Sequence, residues 1–433
     1  MRRKKKLAKY MLQKSGPLHG EIRIGGAKNA ALPVMAATLL TDAPCQLSHV
    51  PDLSDIRIMQ DLLKSFGCQV GLLEQGDLLI ETGKLKNSIT PYELVSKMRA
   101  SFLVMGPLLA RKGKTRVSLP GGCAIGTRPV DLHLKGFQAM GAKISQGHGF
   151  VEARAKKLHG ANIYLDFPSV GATENILMAA TLAEGETVIE NAATEPEIID
   201  LALFLTGMGA KIEGAGTDTI HVTGVPELSG APHTIIPDRI EAGTFMTAAA
   251  ITKGDILLHD VVPDHLRPIT AKLREMGVEI TEFEDAIRVQ AADKMKAADI
   301  KTLPYPGFPT DMQAQFASLL SLIDGTSIIS ETIFENRFMH VSELKRMGAN
   351  IKIEGRTAII EGEKKLTGAQ VKATDLRAGA ALVLAGLAAE GETEIGEIEH
   401  IERGYEGFDQ KLASLGAKIE KECPQAPQAP LLV

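Results

Sequence analysis

The sequence predicts an α/β protein assembled from α+β repeats, in two similar lobes. Three observations predict it. A short pattern ending a helix and starting a strand recurs six times at near-constant spacing. Each interval between recurrences has room for two helices and several strands. The composition, with 44% apolar and 23% charged residues over 433, is that of a globular chain and excludes disorder over most of its length.

The recurring pattern is a hydrophobic residue, Gly, a mostly small residue, a third residue and an aliphatic one. Phe66-Gly67-Cys68-Gln69-Val70 opens the series, and Met140-Gly141-Ala142-Lys143-Ile144 and Met208-Gly209-Ala210-Lys211-Ile212 follow. Met276-Gly277-Val278-Glu279-Ile280, Met347-Gly348-Ala349-Asn350-Ile351 and Leu415-Gly416-Ala417-Lys418-Ile419 complete it. The glycines lie 74, 68, 68, 71 and 68 residues apart. Six units of about 72 residues account for the chain, longer than the repeats of most solenoids. Each Gly reads as the left-handed residue that closes a helix, and the aliphatic residue begins a strand. A second signal lies inside the units: a small-residue helix, a Gly, then a strand, as in Ala180 to Ile189, Ala248 to Leu258 and Ala381 to Ile395. Ala, Leu and Met at i, i+3, i+4 spacing define the helices. Six units divide into two lobes of three, with Pro232 to Pro237 as the expected crossing, and a cleft between lobes is a favoured ligand site.

One unit departs from the rest. From its inner Gly to its closing Gly it spans 28 residues, against 23 to 25 in units three to six. The extra residues fall in Leu119-Pro120-Gly121-Gly122-Cys123-Ala124-Ile125-Gly126-Thr127-Arg128-Pro129. An inserted Gly-rich loop is more often functional than structural. Arg128 near Cys123 would favour the thiolate and could bind an anion; the bland alternative is a small buried hydrophobe. Cys45, Cys68 and Cys423 read as buried and inert.

Other polar clusters fit a substrate site. Gly25-Gly26-Ala27-Lys28-Asn29 sets a Lys at a helix start, a setting that suits phosphate, although a solvated Lys would look the same. Pro309-Thr310-Asp311-Met312-Gln313 sets an Asp in a first helical turn, which could also be a plain helix-dipole acid. Thr374-Asp375-Leu376-Arg377 begins another helix, and Arg403 is expected to follow a strand. Lys28, Arg99, Arg128, Arg377 and Arg403 would make a cationic site in a chain of net charge −5, suited to a substrate with several negative charges.

Several classes are excluded. The net charge argues against nucleic-acid binding by bulk charge. The longest weakly polar run, Ala378 to Ala389, is too short to span a membrane. The basic start, Arg2 to Lys6, has no apolar segment after it and reads as a solvated tail. Four cysteines with gaps of 23, 55 and 300 form neither a zinc knuckle nor a redox pair, and so few in so long a chain point to a reducing, cytoplasmic compartment. Gly113-Lys114-Thr115 lacks the first Gly of a phosphate loop, and Gly207-Met208-Gly209 lacks the third Gly of a dinucleotide fingerprint. No metal-ligand cluster is legible, and His133 and His340 read as structural.

The chain resembles the enolpyruvyl transferases from about Leu18 to Lys418. Six strings carry the resemblance: Gly25 to Ala30, Lys97 to Ser101, Leu119 to His133, Phe308 to Gln315, Phe334 to His340, and Ala373 to Ala378. It implies two lobes, each of three βαβαββ units, with the active site in the interlobe cleft. The lobes are expected at 28–236, and at 1–27 with 237–433, with frayed ends at about 1–10 and 423–433. It implies transfer of the enolpyruvyl group of phosphoenolpyruvate to the 3′-hydroxyl of UDP-N-acetylglucosamine. No cofactor and no metal are implied, because phosphate is the leaving group.

The resemblance also implies roles. Cys123 is the general acid toward C3 and the target of fosfomycin, and Asp311 the general base. Lys28, Arg128 and Arg403 surround phosphoenolpyruvate. Asn29, Arg99, Arg337, Asp375 and Arg377 are further cleft residues. Pro129, Val130, Asp131, Leu132, Ser169, Val170, Gly171 and Ile333 contact the UDP-sugar. Two positions depart from some members, which carry Lys where this chain has Phe167 and Ser54; both bear on UDP affinity rather than on the reacting atoms. The partners implied are the two small-molecule substrates, with no nucleic acid, no membrane and a monomeric state. Alternatives are a shikimate 3-phosphate enolpyruvyl transferase and a non-catalytic nucleotide-sugar-binding relative.

Overall fold

The computed structural model describes residues 8–119, 130–147 and 149–423. Cys123, Arg128 and Pro129 lie outside the described residues. Within them the strands form six sheets, five of four strands and one of three.

The third unit shows the common plan. Strand Asn162–Tyr164 leads through helix Val170–Ala180 to strand Glu186–Glu190, which pairs parallel to the first. Helix Pro196–Gly207 then leads to strands Lys211–Glu213 and Thr219–Thr223, the latter antiparallel to Glu186–Glu190. Three other units borrow a strand from a distance. Pro232–Thr234 is the parallel edge of the first unit's sheet, on Pro44–Ser48. His19–Arg23 is the parallel edge of the fourth, on Asp255–His259. Lys9–Gln13 fills the sixth sheet between Glu392–Gly396 and Ile419–Glu422. The start of the chain is therefore not frayed at residue 9, because Tyr10 is buried and paired on both sides. In the second unit the parallel edge is a single bridge, Ile89 to Arg116.

The six closing glycines, Gly67, Gly141, Gly209, Gly277, Gly348 and Gly416, all have φ between +91° and +105°. Gly254 departs from the expected pattern. There Lys253 takes the left-handed conformation, and Gly254 is needed because a Cβ would lie 2.4 Å from the Leu18 carbonyl oxygen.

The first helix of each unit is central and the second peripheral. Helices Lys28–Ala37 and Val170–Ala180 are buried almost all round and pack with the residues 99–112 helices; Arg239–Thr252, Gln313–Leu320 and Leu376–Ala388 form a second such trio. Their wealth of Ala lets three helices meet without a polar face, so amphipathic spacing holds mainly for outer helices such as Ser54–Phe66. Two separate cores result. One contains buried apolar residues from Ala27 to Ile235, the other those from Tyr10 to Ile24 and from Ile240 to Ile419. The chain passes between them twice, and the two passages pair. Ala27 N donates to Ile236 O at 2.7 Å, and Asp238 N to Gly25 O at 2.8 Å. Gly26 sits at that junction, where a Cβ would lie 1.8 Å from the His49 carbonyl oxygen.

Candidate active site

The polar residues singled out in the sequence cluster at the starts of the central helices. Lys28 is the first residue of Lys28–Ala37, and Arg377 lies in the first turn of Leu376–Ala388. Asp311 sits in the 3-10 turn Thr310–Met312 that leads into Gln313–Leu320. A helix start presents unpaired N–H groups and a partial positive charge, so this arrangement favours anions.

Two carboxylates organise the charges. Asp311 Oδ1 accepts from Arg337 Nη2 at 2.7 Å and its Oδ2 from Arg377 Nη2 at 3.0 Å. Asp55 Oδ2 accepts from Lys28 Nζ at 3.3 Å, and Asp55 Oδ1 from Arg403 Nε at 3.1 Å. Four cations against two carboxylates leave an excess of positive charge. Burial favours a neutral Asp311, but Arg377 and Arg337 outweigh it and hold the carboxyl well below the usual range. Burial lowers the Lys28 ammonium, with Arg377 and Arg403 acting the same way and Asp55 opposing them. The Arg337 guanidinium lies over the Phe334 ring and that of Arg377 over Tyr405, 5.1 and 5.3 Å from the ring centroids. Among the described residues, buried polar atoms on Gln313, Arg337, His340, Thr374 and Arg377 have no hydrogen-bond partner, so donor and acceptor capacity remains around Asp311.

The remaining expected residues are spread over several elements. Asp375 caps Leu376–Ala388, accepting from Arg377 N at 2.9 Å and Ala378 N at 3.0 Å. Ser169 caps Val170–Ala180 through its hydroxyl, placing Val170 and Gly171 in the first turn. His133 lies between helix Val170–Ala180 and Phe102, whose ring centroid is 5.1 Å from its own. Its Nδ1 is 3.1 Å from Asn175 Nδ2, and burial with nearby Arg99 pushes its pKa down to about 3. Arg99 opens the 3-10 segment Arg99–Val104. Val130, Asp131 and Leu132 begin helix Asp131–Ala139, with Asp131 exposed. Asn29 is exposed beside Lys28, and Ile333 is half-buried with its N–H donating to Glu331 Oε1.

Some expectations need correction. Arg403 follows the short helix Glu399–Glu402, not a strand. Cys423 is exposed, because it lies just past the end of the last strand, Ile419–Glu422, while Cys45 and Cys68 are buried. Lys28 is largely buried, which removes the solvated reading. Asp55 and the buried pair Arg239–Glu197, 3.0 Å apart, had not been singled out. Asp55 carried the same signal as Asp311, an acid in a first helical turn. Among the described residues no group of three or more His, Cys, Asp or Glu side chains could hold a metal ion, and no helix is long and apolar enough to cross a membrane.

Comparison with known proteins agrees with this architecture. A family profile described as EPSP synthase (3-phosphoshikimate 1-carboxyvinyltransferase) matches residues 12–412. The chain belongs to this family, the enolpyruvyl transferases. Among its relatives, UDP-N-acetylglucosamine 1-carboxyvinyltransferase 1 of Caldanaerobacter subterraneus is 62% identical over 416 residues, covering 96% of this chain and 99% of that one. The corresponding protein 2 of Carboxydothermus hydrogenoformans is 61% identical over 417 residues, with 96% and 99% covered. In fold, the chain is similar to the enolpyruvyl transferase NikO from Streptomyces tendae, with a TM-score of 0.87 at 24% identity over 96% of this chain and 99% of that one. An EPSP synthase from Acinetobacter baumannii superposes with a TM-score of 0.76 at 18% identity, over 96% and 100% of the two chains.

Proposed function

We propose that this protein transfers the enolpyruvyl group of phosphoenolpyruvate to the 3′-hydroxyl of UDP-N-acetylglucosamine, releasing phosphate. The observation that carries the reading is the near full-length identity of 62% to a protein named for that reaction. The excess of cations around Asp311 and Asp55 supports it, since phosphoenolpyruvate brings a phosphate and a carboxylate. Identities of 56 to 62% to UDP-N-acetylglucosamine enzymes disfavour shikimate 3-phosphate as acceptor.

The reaction is an addition–elimination. The sugar oxygen bonds to C2 of phosphoenolpyruvate as its hydroxyl proton leaves and C3 gains a proton. A tetrahedral ketal results. Loss of one C3 proton then re-forms the double bond and expels phosphate. Asp311 is the base that receives the hydroxyl proton, and Cys123 the acid toward C3. Lys28, Arg128 and Arg403 stabilise the charge that develops on the substrate's phosphate and carboxylate. Each Asp311 oxygen accepts one arginine hydrogen bond and keeps a second lone pair that can receive the proton.

This reading places the protein at the first committed step of peptidoglycan synthesis, as a cytoplasmic, monomeric target of fosfomycin. It takes residues 28–236 as one lobe and 1–27 with 237–433 as the other. The UDP-sugar would lie against Pro129 to Leu132, Ser169 to Gly171 and Ile333, with Asn29, Arg99, Arg337, Asp375 and Arg377 completing the cleft. Phosphate release from phosphoenolpyruvate, measured with UDP-N-acetylglucosamine and with shikimate 3-phosphate as separate acceptors, tests it. Release only with the UDP-sugar is expected. Release with neither acceptor from folded protein would favour a non-catalytic binder.

A further inference from the structure

The proposed reaction uses Lys28 and Arg403 but gives no role to the carboxylate between them. Asp55 is 3% exposed, in the first turn of helix Ser54–Phe66. Its Oδ1 accepts from Arg403 Nε at 3.1 Å, and its Oδ2 from Lys28 Nζ at 3.3 Å and Arg403 Nη2 at 3.4 Å. Lys28 and Asp55 belong to the part of the chain that builds the first core; Arg403 lies 348 residues from Asp55, in the part that builds the second. A negative charge among groups that receive an anionic substrate opposes binding by simple Coulomb repulsion. Its presence needs a compensating benefit.

Two benefits are visible. The Lys28 side chain is 11% exposed, and a buried ammonium needs a counter-charge to stay protonated. The Arg403 side chain is 40% exposed, and a long solvated side chain loses rotamer freedom unless something anchors it. Asp55 meets both needs with two oxygens.

We infer that Asp55 is a positioning residue of the phosphoenolpyruvate site. Its carboxylate holds the Lys28 ammonium and the Arg403 guanidinium side by side across the two lobes, so that both face the incoming substrate together. The inference rests on the function proposed above. Its electrostatic consequence is specific. The charged groups that act most strongly on Lys28 among the described residues are Asp55, Arg377 and Arg403. Burial and the two arginines lower the affinity of Lys28 for its proton, and Asp55 raises it. Without the Asp55 charge, Lys28 loses its proton at a lower pH.

Steady-state kinetics of Asp55→Asn and Asp55→Glu, with unfolding temperatures for both, test the inference. For Asp55→Asn, KM for phosphoenolpyruvate is expected to rise about tenfold or more, as when one partner of a buried charge pair is removed. KM for UDP-N-acetylglucosamine stays near the wild-type value. The alkaline limb of kcat/KM for phosphoenolpyruvate moves to lower pH, and Asp55→Glu restores much of both properties. Unchanged KM for phosphoenolpyruvate with an unmoved alkaline limb would overturn the role. So would an equal loss toward both substrates with a lowered unfolding temperature, which marks a merely structural residue. If the wild-type protein releases no phosphate, the functional reading falls separately. Calorimetric binding of phosphoenolpyruvate then decides the inference: weaker binding to Asp55→Asn supports it and equal binding overturns it.

Discussion

At the scale of single residues, the site is governed by how each carboxylate is held. Asp311 lies between two arginines that hold it ionised below the usual carboxylate range, and the same contacts weaken it as a proton acceptor. Replacing it with Asn keeps the shape and removes the proton acceptor. Asp311→Asn is expected to lower kcat by roughly 10²–10⁴-fold, the range of a positioned general base, with the fold intact by circular dichroism. Near-normal turnover in that variant would exclude the base role. Residues of this kind were only partly legible in the sequence. Asp311 stands in the turn-like polar cluster Pro309-Thr310-Asp311-Met312-Gln313, whereas Asp55 stands in an ordinary amphipathic helix start. A first-turn acid is favoured by the helix dipole anywhere, so residue type and position alone could not separate the two. What distinguishes Asp55 is Arg403, which reaches it from a distant part of the chain.

At the scale of elements, the glycines were the most legible feature, because a left-handed helix end is a local demand of the backbone. Gly416 and Gly26 show that glycine can be required for different reasons. Gly416 has φ +94° and open space around its Cα, so only backbone strain opposes a side chain. Gly416→Ala is expected to cost about 1 kcal/mol, seen as a modest fall in unfolding temperature with turnover kept. Gly26 is crowded instead, with a Cβ position 1.8 Å from the His49 carbonyl oxygen. Gly26→Ala must displace one of the paired passages between the cores, two residues from Lys28. A larger fall in unfolding temperature together with loss of turnover is expected there. Similar small effects for both variants would contradict this distinction. The identity of the outer strands was less legible. His19–Arg23 and Lys9–Gln13 are short strands whose partners lie more than 200 residues away in sequence, and no local pattern encodes such pairing.

At the scale of the whole molecule, two cores are joined by paired passages and by a few buried ionic contacts. Arg239 and Glu197 form one of these, 3.0 Å apart and both largely buried. Glu197 belongs to the first core's part of the chain, and Arg239 opens a central helix of the second. Glu197→Gln leaves a buried guanidinium without its counter-charge. It is expected to destabilise the fold by about 3 kcal/mol, measured by urea unfolding. An unchanged midpoint would show that the lobes are held together elsewhere. The six-unit plan was legible because each unit repeats its own signals. The pairing of charged residues from distant parts of the chain on Asp55 and Asp311 became visible only in three dimensions.

If enolpyruvyl transfer to the UDP-sugar proceeds through addition and elimination, a solvent hydrogen must enter C3 of phosphoenolpyruvate on the way. The measurement is the reaction of phosphoenolpyruvate with UDP-N-acetylglucosamine, run in D2O and read by mass spectrometry of the sugar product. A UDP-sugar that has gained an enolpyruvyl group bearing solvent deuterium on its vinyl carbon is the predicted result. An enolpyruvyl product free of deuterium, or an unmodified UDP-sugar recovered from folded protein, would contradict it.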